Sequence, residues 1–155
     1  MVIGDKKKHL SCLLTLKVEI DQATNLPTDK LDSAVKEWCK STLKGKNIQE
    51  NEQNIPERTI DFIEGPHSQI FRQGIQDGIN FVNSKAAFRA AEVRKFCILE
   101  HEFSISTGEL GPTLKLKRHV VTEKYGAEID RMYSPEEIKD SPYEGRISAE
   151  VVIGA

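Results

Sequence analysis

The residue best placed to do chemistry is Lys115, which lies where a turn-rich loop meets a helical pattern. Gly108, Gly111 and Pro112 stand just before it, and such residues interrupt regular structure and favour turns. Apolar side chains recur at helical spacing in residues 117–133, just after it. A lysine ammonium at this junction can reach an anionic partner, such as a phosphate or a carboxylate, in a site that is otherwise buried.

A second group of cations, Lys6, Lys7 and Lys8, follows a short apolar segment at the start of the sequence. A local basic patch can bind phosphate even though the whole chain carries a net charge of -2. A run of charges in a turn is also what an ordinary solvated surface looks like. The residues alone therefore leave both interpretations open.

Two further side chains, Glu109 and Trp38, stand out in the sequence. Glu109, in the loop before Lys115, could order that loop or steer the lysine, although a glutamate in a loop is commonly exposed. Trp38 lies on the apolar face of the first predicted helix, and we expect it in the core.

The histidines and cysteines do not predict a metal site. They are His9, His67, His101, His119, Cys12, Cys39 and Cys97. The histidines share no ligand spacing, and the number of cysteines is odd with no metal-binding pair. All three cysteines stand among apolar residues, which predicts buried thiols in a reducing compartment.

The bulk composition is that of one ordinary domain. The chain has 155 residues, of which 38% are hydrophobic and 30% charged. The net charge of -2 and the lack of interleaved aromatic and basic residues disfavour a nucleic-acid-binding function. We see neither a secretory signal nor a run of about 20 apolar residues in the sequence.

The periodicity of the sequence predicts an α+β fold, in which helices pack on a small sheet of about three strands. The predicted strands are a short one in residues 2–4, one in 10–18 that is buried on both faces, and one in 95–100. The predicted helices are residues 28–43, 68–94 and 117–133, and a polar surface loop is expected at 44–58. Residues 134–155 contain several Pro and Gly residues and end in a strand-like run at 146–154.

Four segments, in collinear order, resemble the C-terminal domain of bubblegum-type long-chain acyl-CoA synthetases, which belong to the adenylate-forming superfamily. The first is Met-Val-Ile-Gly-Asp-Lys-Lys-Lys with the strand after it, and the second is Ile-Gln-Asp-Gly-Ile-Asn-Phe-Val-Asn at 75–83. The third is Lys-Phe-Cys-Ile-Leu-Glu at 95–100, continuing to 105. The fourth, Gly-Glu-Leu-Gly-Pro-Thr-Leu-Lys-Leu-Lys-Arg-His at 108–119, continues into the last helix.

The resemblance implies that residues 1–133 form the mobile lid domain of such an enzyme and that 134–155 form a divergent tail. These ligases convert a fatty acid, ATP and CoA into acyl-CoA, AMP and pyrophosphate through an acyl-adenylate. Lys115 matches the lysine that bridges the carboxylate and the nucleotide phosphate during adenylation. Arg118, Thr113 and Gly111 match positions around the substrate and nucleotide.

Two positions depart from the pattern of the wider superfamily. That superfamily usually has glycine immediately before the lysine and threonine four places before it, where this sequence has Leu114 and Gly111. The resemblance further implies that Lys6, Lys7 and Lys8 lie near the CoA entrance and contact CoA phosphates.

The resemblance also implies partners that this sequence does not contain. The N-terminal adenylation domain would bind ATP, with Mg²⁺, and would hold the fatty-acid tunnel. We therefore expect an excised domain or the product of a truncated gene, located in the cytoplasm with peripheral attachment to the endoplasmic reticulum. The alternative is a non-catalytic module that binds CoA or a nucleotide, or that regulates a partner.

Overall fold

A computed structural model describes residues 1–49 and 54–134, together with the backbone of 149–150. Its strands are β1 (Val2–Ile3), β2 (Leu10–Thr15), β3 (Val18–Ile20), β4 (Pro27–Leu31), β5 (Val93–Leu99) and β6 (Ala149–Glu150). Its helices are α1 (Ser33–Lys44), α2 (Thr59–Glu64), α3 (Ser68–Asn83), α4 (Arg118–Lys124) and α5 (Gly126–Tyr133), with a 3-10 turn at Arg89–Ala91. The predicted α+β class is confirmed.

The main sheet has the strand order β1-β2-β5-β6, and β3 pairs with β4 in a separate two-stranded sheet. Strand β2 runs antiparallel to β1 and parallel to β5, with Leu13 opposite Cys97. The β5–β6 pairing is antiparallel and places Phe96 opposite Ala149. The sheet of about three strands is therefore confirmed and extended by a two-residue edge strand, which lies in the predicted run at 146–154.

Residues 12–14 of β2 and 96–99 of β5 are apolar because both faces of the sheet are covered there. On one face, Cys12, Phe96 and Ile98 pack with side chains of α1, α2 and α3. On the other face, Leu13 and Cys97 pack with a cluster from α4 and α5, whose members are Val121, Tyr125, Ile129 and Met132. Successive side chains of a strand point to opposite faces, so one strand supplies both cores.

The strand predicted at 10–18 and the first predicted helix have other bounds than expected. The strand predicted at 10–18 stops at Thr15, and Val18 starts β3 instead. The first helix begins at Ser33, because the Asp32 carboxylate caps it by accepting a hydrogen bond from the amide of Ala34 at 2.8 Å. Residues 28–31, which we assigned to that helix, belong to β4.

The long helix predicted to Arg94 ends at Asn83. The amide side chain of Asn83 accepts a hydrogen bond from the backbone N–H of Val93 and donates one to its carbonyl, at 2.9 and 2.8 Å. These bonds tie the end of α3 to the start of β5 and require the chain to turn between them. Helix α2, which follows the predicted loop, was not foreseen.

Two further expectations are corrected by packing. The last predicted helix is divided at Tyr125, with φ -110° and ψ 28°, so that α4 and α5 are separate. Trp38 is 37% exposed rather than a core residue. Its ring lies across the aromatic pair Phe62 and Phe71, with centroid distances of 6.1 and 6.3 Å.

The three cysteines are buried and free, as predicted. Burial raises the pKa of Cys12, and it raises the pKa of Cys39 and Cys97 to about 12 and about 11. These thiols are therefore neutral and unreactive at physiological pH. The domain boundary proposed at 133/134 stays a prediction, since the tail lies outside the described residues except for Ser134 and the backbone of 149–150.

Candidate active-site loop and basic cleft

Lys115 lies next to the turn of a tight β-hairpin, residues 110–116, which we call the lysine hairpin. The amide of Leu114 donates to the carbonyl of Gly111, and the amide of Gly111 donates to the carbonyl of Lys115, both at 2.8 Å. Leu110 pairs with Leu116 across the hairpin. The side chain of Lys115 is exposed. The backbone is therefore ordered by hydrogen bonds while the ammonium group is free to meet an anion.

The turn of the hairpin contains Leu114, one of the two positions that depart from the superfamily pattern. Pro112, Thr113 and Leu114 form a three-residue loop, a type that commonly ends in a left-handed residue. Leu114 takes that position with φ 62°. The superfamily usually has glycine here, and glycine adopts this conformation without steric cost. In this chain, leucine adopts it, and its side chain is 68% exposed.

The other predicted site residues occupy different parts of this region. Thr113 is exposed at the turn, whereas Gly111 is buried. A Cβ added at Gly111 would meet the carbonyl oxygen of Lys115 at 3.6 Å, an ordinary contact, so sterics do not require glycine there. Arg118 begins α4, and its guanidinium Nη2 donates to the carbonyl of Val2 in β1. The structure thus brings Gly111, Thr113 and Lys115 together and joins Arg118 to the sheet edge.

Glu109 is the functional candidate that sequence reasoning undervalued. Its side chain is 1% exposed, and its carboxylate accepts hydrogen bonds from Lys124 Nζ and the Thr107 hydroxyl. Burial alone raises the pKa of Glu109, but the hydrogen bonds from Lys124 and Thr107 outweigh it and lower this pKa to about 2. Glu109 and Lys124 are 15 residues apart and lie in different elements. The periodicity of the sequence therefore could not predict that they form a pair.

The lysine cluster near the N-terminus contributes to a second feature, a cleft of about 570 Å³. The cleft is lined by Gly4, Lys7, Lys8, His9, Leu10, Arg89, Ala90, Glu92 and Arg94. We call it the basic cleft, because it gathers four cations around one acidic side chain. That acid, Glu92, lies 3.9 Å from the guanidinium of Arg94. Such a charge balance favours a phosphate-bearing ligand.

The three predicted lysines are not equivalent in this cleft. Lys7 and Lys8 line it, whereas Lys6 is exposed in the same turn with φ 55° and does not line it. The Nζ of Lys7 also lies 4.9 Å from the ring centroid of Tyr133. The sequence pattern missed Arg89 and Arg94, because they reach the cleft only through the turn after α3 and the start of β5.

Within the described part of the chain, no group of three or more His, Cys, Asp or Glu side chains could hold a metal ion. None of the helices there is both long and apolar enough to cross a membrane.

Comparison with known proteins gives one consistent answer. The chain is 42% identical over 133 residues to the mouse long-chain-fatty-acid–CoA ligase ACSBG1, a match that covers 86% of the chain and 17% of the relative. It is 43% identical over 134 residues to the rat ligase ACSBG2, covering 86% of the chain and 18% of that relative. It is 41% identical over 139 residues to bovine ACSBG1, covering 90% and 18%.

No family model matches the chain, and no solved structure matches it. The chain spans less than a fifth of the length of the curated relatives. The identity nevertheless extends over nearly the whole of this chain in relatives that carry the same name. The chain is therefore homologous to a short segment of the long-chain-fatty-acid–CoA ligases of the ACSBG type.

Proposed function

We propose that this chain is the mobile C-terminal lid of a long-chain fatty acid–CoA ligase, and that Lys115 is its adenylation lysine. The observation that carries the proposal is the lysine hairpin, which holds an exposed ammonium on a backbone ordered by hydrogen bonds. The relatives are named for the ligation of long-chain fatty acids to CoA, which supports the same substrates here.

The chemistry suits a lysine at this position. When a fatty acid attacks ATP, negative charge gathers on the carboxylate and phosphate oxygens, and a positioned ammonium stabilises it. The same group holds the two anions near reacting distance, which removes orientational entropy from the step. Thr113, Gly111 and Arg118 would surround the nucleotide, and rotation of the lid would then admit CoA.

The adenylation domain, a partner outside this chain, would bind ATP and the fatty acid. Mg²⁺ would accompany ATP there, since the described residues of this chain offer no carboxylate cluster for it. We expect the 155-residue chain alone to form no acyl-CoA, because its sequence contains no Gly-rich phosphate loop. A location in the cytoplasm with peripheral attachment to the endoplasmic reticulum stays a prediction.

The basic cleft is the proposed contact for the phosphates of CoA. Lys7 and Lys8 would supply two ammonium groups, and Lys6, exposed beside them, would add longer-range attraction. Arg89 and Arg94 add two guanidinium groups, which match phosphate oxygens in a bidentate way.

The decisive experiment separates the two half-reactions. Residues 1–133 of this chain replace the matching segment of the rat ligase ACSBG2, and formation of acyl-adenylate is measured apart from transfer of acyl-adenylate to CoA. We expect Lys115→Ala to slow adenylate formation by about a hundredfold, because a preorganised charge is lost from the transition state. Transfer to CoA should change much less.

Lys117→Ala is the matched control, since Lys117 is also exposed and lies two residues further along the same segment. Equal losses in the two variants, or no loss in Lys115→Ala, would contradict the assignment of Lys115.

A second candidate function is a binding module without catalysis, favoured by the fact that the basic cleft is formed within this chain. Calorimetry of the 155-residue chain with CoA would show one saturable site if this module acts alone. If dephospho-CoA, which lacks one phosphate of CoA, binds with equal affinity, the cations of the cleft do not recognise that phosphate.

A further inference from the structure

Glu109 is buried between two parts of the molecule that meet only in the folded state. Its Oε2 accepts a hydrogen bond from the Thr107 hydroxyl and lies 3.4 Å from the amide of Ser104. Its Oε1 accepts from Lys124 Nζ and from the Tyr125 hydroxyl, the latter at 3.4 Å. The carboxylate therefore joins the loop before the hairpin to the end of α4.

The backbone of the same residue holds the other side of the hairpin. The carbonyl of Glu109 accepts a hydrogen bond from the amide of Lys117 at 2.8 Å. The next pairs inward are Leu110 with Leu116, and the Gly111 amide with the Lys115 carbonyl at 2.8 Å. Glu109 thus forms the first of the cross-strand backbone pairs of the hairpin, and Lys115 forms the last one before the turn.

This arrangement stabilises a conformation that the hairpin sequence does not favour by itself. Leu114 adopts φ 62°, which is unfavourable for a residue other than glycine, and contacts elsewhere in the structure must offset this cost. The turn residues Pro112 and Thr113 are exposed and have few neighbours to impose it. The structure that holds the turn in place is the series of backbone pairs that starts at the buried Glu109.

We propose that Glu109 is the positioning residue of the lysine hairpin: its carboxylate, held by Lys124, Thr107 and Tyr125, locks the backbone that presents Lys115. The consequence for adenylation rests on the function proposed above, whereas the lock itself does not. Among the described groups that contact the carboxylate, Lys124 and Tyr125 are the titratable ones.

The first test is amide hydrogen exchange on the 155-residue chain, followed by NMR. We expect Glu109→Gln, which keeps the shape but removes the charge, to speed exchange of the Gly111 and Lys117 amides about tenfold or more. The amides of Leu13 and Cys97, in the central strands, should keep their wild-type rates. Unchanged rates at the hairpin would overturn the proposal, and so would equal acceleration in the central strands.

Matched variants separate the lock from general packing. Lys124→Met should loosen the hairpin as Glu109→Gln does, and Lys124→Arg should restore it, because an arginine keeps the charge-assisted hydrogen bond. Glu123→Gln is the control, since Glu123 is an exposed glutamate beside Lys124 on the same helix. A hairpin loosened as much by Glu123→Gln, or not restored by the arginine, would overturn the proposal.

The second test uses the exchanged ligase described above. We expect Glu109→Gln to lower kcat for adenylate formation about tenfold with little change in KM for ATP, because the lysine spends less time in its productive position. A rise in KM at constant kcat would overturn the positioning role. If exchange changes as expected but Lys115→Ala leaves adenylation intact, the lock stands and the proposed function fails.

Discussion

The lysine hairpin and the basic cleft both present cations, but they are built in opposite ways. The hairpin exposes Lys115 on a backbone anchored by a carboxylate that is 1% exposed. The cleft gathers Lys7 and Lys8 from an exposed turn, with Arg89 and Arg94 from a second segment. One site presents a single positioned charge, and the other presents a diffuse field of several charges. The effect of the hairpin on an anionic ligand should therefore depend mainly on the precise position of Lys115. Ligand binding at the cleft should depend mainly on salt-dependent electrostatic attraction.

The largest expected effect on folding is at the hairpin. Glu109→Ala removes the acceptor for Lys124, Thr107 and Tyr125, and we expect the free energy of unfolding to fall by about 2 kcal/mol. Urea denaturation followed by circular dichroism measures the change. Glu123→Ala should stay within about 0.5 kcal/mol, as exposed substitutions usually do. A small change in Glu109→Ala would remove the main contrast between the two regions.

The cleft should respond through affinity rather than stability. We expect the double variant Arg89→Gln and Arg94→Gln to weaken CoA binding by the 155-residue chain about tenfold at low salt, with less effect at high salt. Calorimetry at two salt concentrations measures the loss of CoA affinity at low and at high salt. Lys40→Gln, on α1, removes a cation outside the cleft and should leave affinity unchanged. If the variant loses the same CoA affinity at both salt concentrations, the cleft too would bind by precise positioning of its cations.

Acid should distinguish the two regions as well. The pKa of Glu109 is lowered to about 2 from an ordinary value of 4.5, so its stabilising contribution is complete above pH 4.5. The contribution should decline as pH falls from 4.5 towards 2, because the unfolded chain binds a proton that the folded chain resists. Urea midpoints across this range should fall less steeply for Glu109→Gln than for the wild type. Parallel slopes would contradict the charged, hydrogen-bonded state of Glu109.

The smallest effect is expected at the turn of the hairpin. Leu114→Gly should raise the free energy of unfolding by about 0.5 kcal/mol, since it relieves about 1–2 kcal/mol of left-handed strain but adds backbone entropy to the unfolded chain. Leu114→Ala keeps a Cβ and should give no such gain. If both variants have the same free energy of unfolding, the φ value at this position does not limit the stability of the hairpin.

Family-level signals were strong in this sequence because they are local. The strand at 95–100 and the apolar residues of the last helical segment each occupy a short continuous stretch, and the structure places them within two residues of the prediction, although that segment is divided into α4 and α5. The boundaries were less accurate where a distant group decides them. Asn83 ends α3 through bonds to Val93, and periodicity within the helix cannot report such a partner.

The sequence by itself determined the fold class and the resemblance to the ligases, and it placed Lys115 in a loop before the last helical segment, because hydrophobic periodicity and collinear motifs are properties of neighbouring residues. The tertiary structure alone decided that Glu109 is buried against Lys124 and that Arg89 and Arg94 join Lys7 and Lys8. Those pairings bring together residues far apart in sequence. They exist only once the sheet and both helical layers are assembled, because burial and charge proximity are set by packing rather than by spacing along the chain.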